Sequence, residues 1–583
     1  MNPIARPSLD RYFWLAVVIT ALVVIPRSAM ISRAHSPSCD DQFHLRRGLD
    51  YICGNPSGML IPATDPPVGQ GIMALPMVLT DSLPGNPIHW QTMPDPTKAR
   101  VNIENQPSNP ALAARLRAAR RDVLYGHRLT VDILELLVAI WKAILFVPFA
   151  GLVFHWCREL YGLASGYLAL GLLLVDPTFA AHIAIAAPDT LGVETILLSC
   201  YWIWRYVERP SFGRMLLATF AIAVAMLTKH TAAPLPIIAL VYAAVFWFRE
   251  RKTGDPIRWR TRIDQILIGA LSLFFFIWAL LKFDLSAPID SVTHIWAQAN
   301  SYSRWLFPVL TVPWPAGRYV GLLMEAVHEN GPFRWAYLNG HAKVGGWWYY
   351  FPAIAAYKVP LGFFVIFVLA IFSLLWARPK WREMSLSLPL VIFCYIFFSS
   401  GTNVGFRHFL PAYIFILMLA SRTFSTFPGL SVAEGVVIRS AFSIFIWLCV
   451  LGSWFHTLTF GPDYLSYVNW PYAKPWLRMN DSNIDWGQGL KQVRDYLDAH
   501  PTNQPIYIRY DWDADALQYY LRGRATAVGV FQAPPKHGLL IICPVWVAGY
   551  WDPADSYAFL RPCTPDAVIG HAMLVYDLDH LHK

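Results

Sequence analysis

The sequence predicts an all-α polytopic membrane protein, with about eleven transmembrane helices and a small α/β domain at its C-terminus. Composition indicates the membrane class, because 55% of the 583 residues are hydrophobic and only 15% are charged, whereas soluble domains carry about 25% charged residues. Many apolar runs also have the length of about 20 residues that crosses a bilayer. The 25 Trp are typical of rings anchored at membrane interfaces.

Eleven apolar runs are predicted as membrane spans. The first run is long enough to cross the bilayer, and no small-residue cleavage site follows it cleanly, which favours a span over a cleaved signal peptide. The predicted spans are 12–30, 131–154, 163–182, 189–207, 214–231, 232–248, 264–282, 353–376, 386–402, 407–425 and 437–457.

The basic residues predict the orientation. With the N-terminus inside, each short cytoplasmic connection holds basic residues such as Arg158, Arg205 and Arg258, whereas the short outer connections hold little besides Lys229 and Arg407. This bias follows the positive-inside rule, which also explains the net charge of +9 without a nucleic-acid partner. Three segments are then predicted outside: 31–130, 283–352 and the tail from Phe460.

The outer segments contain local patterns of their own. Gly69–Thr80 is too short to span and is predicted to lie along the membrane surface. Ala111–Arg121 is predicted as a basic amphipathic helix in the headgroups, with an exposed loop helix as the alternative.

The tail changes in character and predicts a separate α/β domain over 460–583, after a membrane domain over 1–459 that includes the outer loops. Helical spacing and short apolar runs support this reading. The predicted helices are Gln488–Ala499 and Asp513–Leu521, and the predicted strands are Pro505–Tyr510, Leu539–Cys543 and His571–Tyr576.

Cysteine spacing gives no strong metal signature, because neither Cys-x-x-Cys nor His-Glu-x-x-His occurs. No metal site is therefore predicted, although Asp40, Asp41 and His44 leave a divalent cation open as an alternative. Cys39 with Cys53, and Cys543 with Cys563, lie in outer segments, where a disulfide forms only if the compartment is oxidising.

Two acidic positions at predicted outer membrane edges carry the chemistry. Asp40 and Asp41 follow the first span, and Asp189 begins a later one. An ion beside hydrocarbon costs several kcal/mol unless something uses it. Two acids that face one compartment therefore indicate catalysis on a lipid-linked substrate.

The order of the motifs resembles the membrane glycosyltransferases of the GT-C class, which include protein O-mannosyltransferases and the aminoarabinose transferases of lipid A. The first acidic motif is usually Asp-Glu, and Asp41 in place of Glu is a conservative change that still leaves a base. The Asp65 position usually holds His, so a role borrowed from that His does not transfer. The similar stretches are Asp40-Asp41, Asp65-Pro66-Pro67-Val68-Gly69, Ala186-Ala187-Pro188-Asp189, Leu227-Thr228-Lys229, Gly346–Pro352, Gly405–His408 and Asp481–Gln488.

The resemblance implies that a monosaccharide moves, with inversion, from a polyprenyl-phosphate carrier to a protein, lipid or glycan hydroxyl. A carboxylate is suited to deprotonate that hydroxyl. Asp40 is predicted as the base and Asp41 as its support, against a helix cap or a salt bridge with Arg46 or Arg47 as alternatives. Asp189 is predicted to position the acceptor or the catalytic loop, with a helix-terminal role as the alternative.

The departing phosphate needs basic residues. Lys229 and Arg407 are predicted to hold it together with His408, and the alternative is headgroup binding or snorkelling. The candidates for further substrate contacts are His44, Trp347, Trp348 and Tyr349, although a structural histidine and an interfacial aromatic belt also explain them. The segment Asp481–Gln488 fits either an acceptor site or the Asx-type turn that starts the tail domain.

These observations predict a multi-pass glycosyltransferase of a bacterial inner membrane, with its site facing the periplasm or the exterior. Mannose is the sugar that family frequency favours. The alternative is a transporter or flippase, which would use the outer acids to couple ions and would show inverted repeats. No repeat links the two halves of this sequence, and its acids lie at the outer edges of the spans. A cell-envelope scaffold would leave the acidic pair without a purpose.

Overall fold

The computed structural model describes residues 10–53, 65–81, 124–125, 129–253, 259–288, 308–329, 331, 334–376, 381–425, 432–510, 512–529, 532–552 and 554–581. Most of the described residues before the tail are helical. In the first half the helices are α1 Arg11–Ala34, α2 Asp41–Cys53, α3 Pro67–Asp81, α4 Val131–Tyr161, α5 Leu163–Val175, α6 Pro177–Ala184, α7 Asp189–Glu208, α8 Phe212–Met226, α9 Leu235–Thr253 and α10 Trp259–Leu280.

Helices continue through the second half of the chain. They are α11 Gly317–Glu329, α12 Tyr350–Lys358, α13 Leu361–Trp376, α14 Met384–Ser399, α15 Leu410–Ala420, α16 Val432–Leu458, α17 Leu490–Ala499, α18 Ala514–Leu521, α19 Pro544–Val547 and α20 Leu578–Leu581. Two short antiparallel pairs lie in the segment predicted as an outer loop: β1 Leu285–Ser286 with β2 Trp314–Pro315, and β3 Trp335–Leu338 with β4 His341–Val344.

Among the described residues, six helices are long and apolar enough to cross a membrane, and α5 with α6, bent by 60°, adds a seventh if the pair is one span. The chain is therefore an integral membrane protein. Each of the eleven predicted apolar runs overlaps a helix or a pair of helices. However, several of those helices are too short or too polar to qualify, so the count of eleven stays a prediction.

The exposed apolar side chains fit a lipid environment. Leu22 is 71% exposed, Ile371 is 65% exposed and Leu375 is 74% exposed, and each lies in a helix that is apolar along its length. A protein folded in water rarely leaves large contiguous apolar patches uncovered. In a bilayer these side chains face hydrocarbon, while the helical hydrogen bonds satisfy the backbone.

Ion pairs join the helices at the predicted cytoplasmic ends. Arg158 of α4 binds Asp10 through two nitrogen–oxygen contacts of 2.8 and 2.7 Å, and Asp10 also caps α1. Arg205 of α7 binds Glu159 of α4 at 2.8 Å. Some of the arginines that indicate orientation therefore also connect neighbouring helices.

The tail contains five strands: β5 Ile506–Arg509, β6 Thr526–Ala527, β7 Leu539–Ile542, β8 Ala567–Ile569 and β9 Met573–Asp577. They form one sheet in the order β6-β5-β7-β9-β8. β5 runs parallel to β6 and β7, with Ile506 opposite Leu539, and β7 runs antiparallel to β9, with Ile542 opposite Leu574. Helices and strands thus occur at the predicted positions, whereas the domain boundary at 460 stays a prediction.

Polar contacts dock the tail on the membrane part. The hydroxyl of Tyr520 donates to Asp132 at 2.9 Å, and Lys491 forms an ion pair with the same carboxylate at 2.8 Å. The side chain of Gln42 donates to Asp513 at 3.2 Å. The docking site therefore includes α2, which begins at the acidic pair.

The sequence leaves the pairs Cys39–Cys53 and Cys543–Cys563 open, and the structure contains neither disulfide: no disulfide joins any of the eight cysteines, all of which lie in the described part of the chain. Cys39 lies two residues before α2 and Cys53 is the last residue of that helix, a separation of about 20 Å at the helical rise, which exceeds the reach of a disulfide. Cys543 is buried with its sulfur 3.5 Å from that of Met573, whereas the Cys563 thiol donates to the carbonyl of Phe559.

The predicted surface segment at 69–80 forms most of α3, which packs against α2. Met73 and Ala74 are fully buried, whereas Leu79 is 61% exposed. At Gly48 an added Cβ would lie 2.1 Å from the carbonyl oxygen of Gln70, so α2 and α3 approach closely at a glycine. The predicted helix Ala111–Arg121 lies outside the described residues.

Candidate active site

The two members of the acidic pair have different environments. The Asp41 carboxylate accepts the backbone N–H of Ser38 at 2.8 Å and its hydroxyl at 2.5 Å, and Asp41 is 2% exposed. Burial raises the pKa of Asp41 to about 6, although the Ser38 hydrogen bonds oppose this shift. Asp41 therefore fixes the turn at the start of α2, which agrees with the structural alternative for this residue.

Asp40 is half-buried and immediately precedes α2. Within the described residues its carboxylate accepts only the weak S–H donor of Cys39, at 3.5 Å, while its backbone carbonyl accepts the N–H of His44 at 3.0 Å. Asp40 is thus the member of the pair whose carboxylate remains available to a substrate hydroxyl.

His44 lies close to three of the similar stretches, those that contain Asp40, Asp65 and Asp189. Its Nδ1 is 3.0 Å from the side-chain nitrogen of Gln70, which donates to it, and the charges of Asp40, Asp65 and Asp189 all act on the ring. Burial is the largest influence and lowers the pKa of His44. The imidazole is therefore neutral at pH 7, with its Nε2–H left as a donor.

The stretch Asp65–Gly69 is hydrogen-bonded to the stretch Leu227–Lys229. The backbone N–H groups of Val68 and Gly69 donate to the carbonyl of Leu227 at 3.0 and 3.4 Å. An added Cβ at Gly69 would lie 2.5 Å from the side chain of Thr228, so the backbones approach closely here. This contact brings α3 beside Lys229.

Lys229 forms a buried ion pair with Asp189. Asp189 is the first residue of α7, where the helix dipole also favours its charge, and the two residues are only 8% and 4% exposed. Arg407 and His408 act electrostatically on the same carboxylate. Both predicted phosphate-binding cations thus lie around Asp189, although about 180 residues separate them in the chain.

Lys142 of α4 holds the loop that leads to Asp189. Its ammonium donates to the carbonyl oxygens of His182 at 2.9 Å, Ala187 at 2.8 Å and Ile185. Sequence reasoning missed this residue. The available signal was a lysine in the apolar middle of a predicted span, because such charges are costly and usually have a defined partner.

Arg407 stacks on Trp486, with its guanidinium carbon 3.4 Å from the indole centroid. Among the described residues Arg407 forms no ion pair, and its Nε is buried without a hydrogen-bond partner. The Nε2 of His408 is likewise buried without a protein partner. These groups leave hydrogen-bonding capacity for a ligand.

The three later motifs interlock through Asn483. Its side-chain nitrogen donates to the hydroxyl of Tyr350 at 3.0 Å, and its oxygen accepts the backbone N–H of Phe406 at 2.9 Å. The hydroxyl of Ser482 donates to the carbonyl of Val404 at 2.9 Å. The segments 346–352, 405–408 and 481–488 are therefore one packed unit.

Asp481 is an acid that the sequence analysis did not assign to the site. The charges of Arg407 and Asp40 both act on its carboxyl, and burial raises the pKa of Asp481 to about 6. Its backbone has φ of 59°, a conformation that is rare outside glycine and asparagine, and its side chain accepts the N–H of Ser482 at 2.6 Å. An Asx-like turn was the available signal, but the residues that it would face were unknown.

The aromatic candidates lie at the edge of this unit. The N–H of Trp347 donates to the side chain of Asn403 at 2.7 Å, next to Gly346, where φ is +60° and an added Cβ would lie 2.1 Å from the same oxygen. Trp348 is 68% exposed and Tyr349 is 41% exposed, and their rings contact each other. This exposure suits the interfacial-belt alternative.

The described residues contain no group of three His, Cys, Asp or Glu side chains placed to hold a metal ion. Ser38 donates to both oxygens of Asp41, and Gln70 donates to Nδ1 of His44.

Residues 126–278 match the model of the family described as dolichyl-phosphate-mannose-protein mannosyltransferase. The predicted family resemblance is confirmed. The matched segment contains Asp189, Lys142 and Lys229 but is a minority of the chain. The match indicates a membrane glycosyltransferase. No curated protein matches the chain.

Solved structures give weaker likenesses. ArnT from Cupriavidus metallidurans bound to undecaprenyl phosphate is 13% identical, with 97% of this chain and 98% of that chain covered and a TM-score of 0.44. The apo oligosaccharyltransferase of Archaeoglobus fulgidus is 11% identical, with 89% and 65% covered and a TM-score of 0.48. AglB from the same organism, in complex with an inhibitory peptide and a dolichol-phosphate, is 11% identical, with 94% and 72% covered and a TM-score of 0.45.

Proposed function

We propose that this protein transfers a monosaccharide from a polyprenyl-phosphate carrier to a hydroxyl group at the outer boundary of a bacterial inner membrane. The observation that carries the proposal is the convergence of separate motifs on one cluster. This cluster holds carboxylates at Asp40, Asp189 and Asp481 and cations at Lys229 and Arg407. Acids and cations together suit a reaction that removes a proton and releases a phosphate.

Asp40 is the proposed base. The acceptor oxygen attacks the anomeric carbon as its proton passes to the Asp40 carboxylate. The bond from that carbon to the phosphate oxygen breaks, and its electron pair leaves with the carrier phosphate. One displacement inverts the anomeric centre. Asp40 is suited to this role because its carboxylate is half-buried and, among the described residues, accepts only the Cys39 thiol.

Arg407, Lys229 and His408 are the proposed phosphate-binding residues. Arg407 offers N–H donors that no acidic side chain of the described residues occupies, and His408 offers its Nε2, which has no partner among the described residues. Lys229 already pairs with Asp189, so we assign Asp189 the task of holding the ammonium in place. An ammonium has three donors and can contact a carboxylate and a phosphate together.

The sugar, the acceptor and the outer substrate contacts can also be assigned. The name of the matched family favours mannose as the sugar and a protein hydroxyl as the acceptor, with lipid and glycan hydroxyls as the alternative acceptors. His44 is the proposed sugar contact, because the charges of Asp40 and Asp189 act on its ring and Gln70 contacts only its Nδ1. Trp347, Trp348 and Tyr349 are proposed as outer substrate contacts, since aromatic faces also stack on sugars.

Purified protein in proteoliposomes provides the test. The liposomes receive polyprenyl-phosphate mannose with a labelled sugar and a mixture of envelope proteins and glycolipids. Covalent transfer of label that depends on Asp40 supports the proposal. Movement of intact labelled donor across the bilayer without transfer would instead support a flippase, and absence of both would reject both activities for this donor.

A further inference from the structure

The contact between Arg407 and Trp486 has the geometry of a cation–π stack. The guanidinium carbon lies 3.4 Å from the indole centroid, well inside the range of about 6 Å for such contacts. A planar guanidinium that stacks by its face keeps its N–H groups at the edges, where they can bind a phosphate. The stack therefore determines the plane in which those donors lie.

Trp486 is itself held rigidly. It is 2% exposed, its backbone N–H donates to the side chain of Gln488 at 2.6 Å, and its ring contacts that of His182 edge-on at 5.9 Å. Its carbonyl accepts the backbone N–H of Cys39 at 3.1 Å. The backbone of Trp486 is thus fixed against Cys39, the residue that precedes Asp40, while its indole lies against His182 and Arg407.

Few other contacts hold Arg407. Among the described residues it has no carboxylate partner, and its Nε lacks a hydrogen bond. The preceding residue is fixed, because the backbone N–H of Phe406 donates to Asn483 at 2.9 Å. The backbone of Arg407 is therefore placed by the segment 481–488, and so is its guanidinium.

We propose that Trp486 is a positioning residue, whose indole face holds the Arg407 guanidinium in the orientation that binds the carrier phosphate. This makes the segment 481–488 part of the donor site, although it lies far along the chain in the part predicted as the tail domain. The inference rests on the proposed function, because it assigns phosphate binding to Arg407.

The test measures binding of undecaprenyl phosphate and of undecaprenol by the full-length protein in detergent. The ratio of the two affinities isolates the contribution of the phosphate. In Trp486→Leu we expect undecaprenyl phosphate to bind about five- to thirtyfold more weakly, with undecaprenol binding unchanged. Trp486→Tyr keeps an aromatic face and should recover most of the affinity.

A second stack provides the matched control. Arg509 lies 3.6 Å from the indole centroid of Trp546, and both residues are buried in the tail. Trp546→Leu should affect the unfolding temperature as much as Trp486→Leu does, but it should leave the affinity ratio unchanged. Equal loss of the ratio in both variants would show a general structural effect and would overturn the proposal.

A double-mutant comparison separates the route of the effect. If Trp486 acts through Arg407, then Trp486→Leu should cause no further loss of phosphate affinity in an Arg407→Met background. An additive loss would contradict the proposal, as would a Trp486→Leu protein with wild-type affinity. Wild-type protein that does not distinguish undecaprenyl phosphate from undecaprenol would also overturn it. By contrast, wild-type protein that binds the phosphate but transfers no sugar would count against the proposed function alone.

Discussion

Replacement of each member of the acidic pair should separate catalysis from folding. In Asp40→Asn we expect transfer to fall by about 10²- to 10⁴-fold, which is the usual contribution of a general base. Its stability should change little, because among the described residues the Asp40 carboxylate accepts only the Cys39 thiol. In Asp41→Ala two hydrogen bonds from Ser38, of 2.8 and 2.5 Å, are lost. Because this leaves a buried N–H unpaired, the cost should be roughly 1–3 kcal/mol of stability.

The assay combines initial rates of transfer from labelled polyprenyl-phosphate mannose with the unfolding temperature in detergent. Asp41→Asn is the control, since its side-chain oxygen still accepts one hydrogen bond from Ser38, and it should retain most of the transfer rate. Wild-type turnover by Asp40→Asn would refute the assignment of the base. Loss of transfer in Asp41→Asn at an unchanged unfolding temperature would show that the wrong member of the pair was chosen.

Three further predictions concern the surroundings of the base. Lys229→Met should destabilise the fold by leaving Asp189 as an unpaired buried charge, and adding Asp189→Asn should restore the unfolding temperature but not the affinity for undecaprenyl phosphate. Lys142→Met should lower both the unfolding temperature and kcat, because three carbonyl groups before Asp189 lose their donor; an unchanged kcat would count against this positioning role. Burial raises the pKa of Asp481 to about 6, so the folded protein holds this proton to a higher pH than the unfolded chain does. The free energy of unfolding should therefore decrease as the pH rises from about 4 to 6. Asp481→Asn should lack that fall, and unfolding scans from pH 4 to 8 that show parallel curves for the two proteins would contradict it.

Much of the membrane architecture could be predicted from the sequence, because apolar length is a local property. The predicted runs 12–30, 131–154 and 264–282 overlap α1, α4 and α10, and each of these helices is long enough to span the membrane. Side-chain pairing is not local. Lys229 and Asp189 were assigned separately to phosphate and acceptor, whereas the structure pairs them directly. Nothing in either motif specifies a partner 40 residues away.

The roles of several residues depend on side-chain contacts that the sequence does not specify. Trp486 was one of 25 Trp that the membrane interface could explain, and only its stack on Arg407 distinguishes it. The sequence analysis predicted Asp40 as the base and Asp41 as its support without any knowledge of their partners, and the Ser38 hydrogen bonds now distinguish the two carboxylates. The disulfide that the sequence left open for Cys39 does not form in this structure, because α2 places Cys53 about a helix length away.

A structure of the protein with undecaprenyl phosphate, determined by cryo-electron microscopy in lipid nanodiscs, tests the central claim most directly. The claim is that separate motifs form one site in which cations hold the carrier phosphate beside the catalytic carboxylate. We expect the phosphate within hydrogen-bond distance of Arg407 and Lys229, on the side of the cluster that faces Asp40. A phosphate bound elsewhere, for example beside Arg33, Arg46 or Arg47, with Arg407 unliganded, would contradict the account.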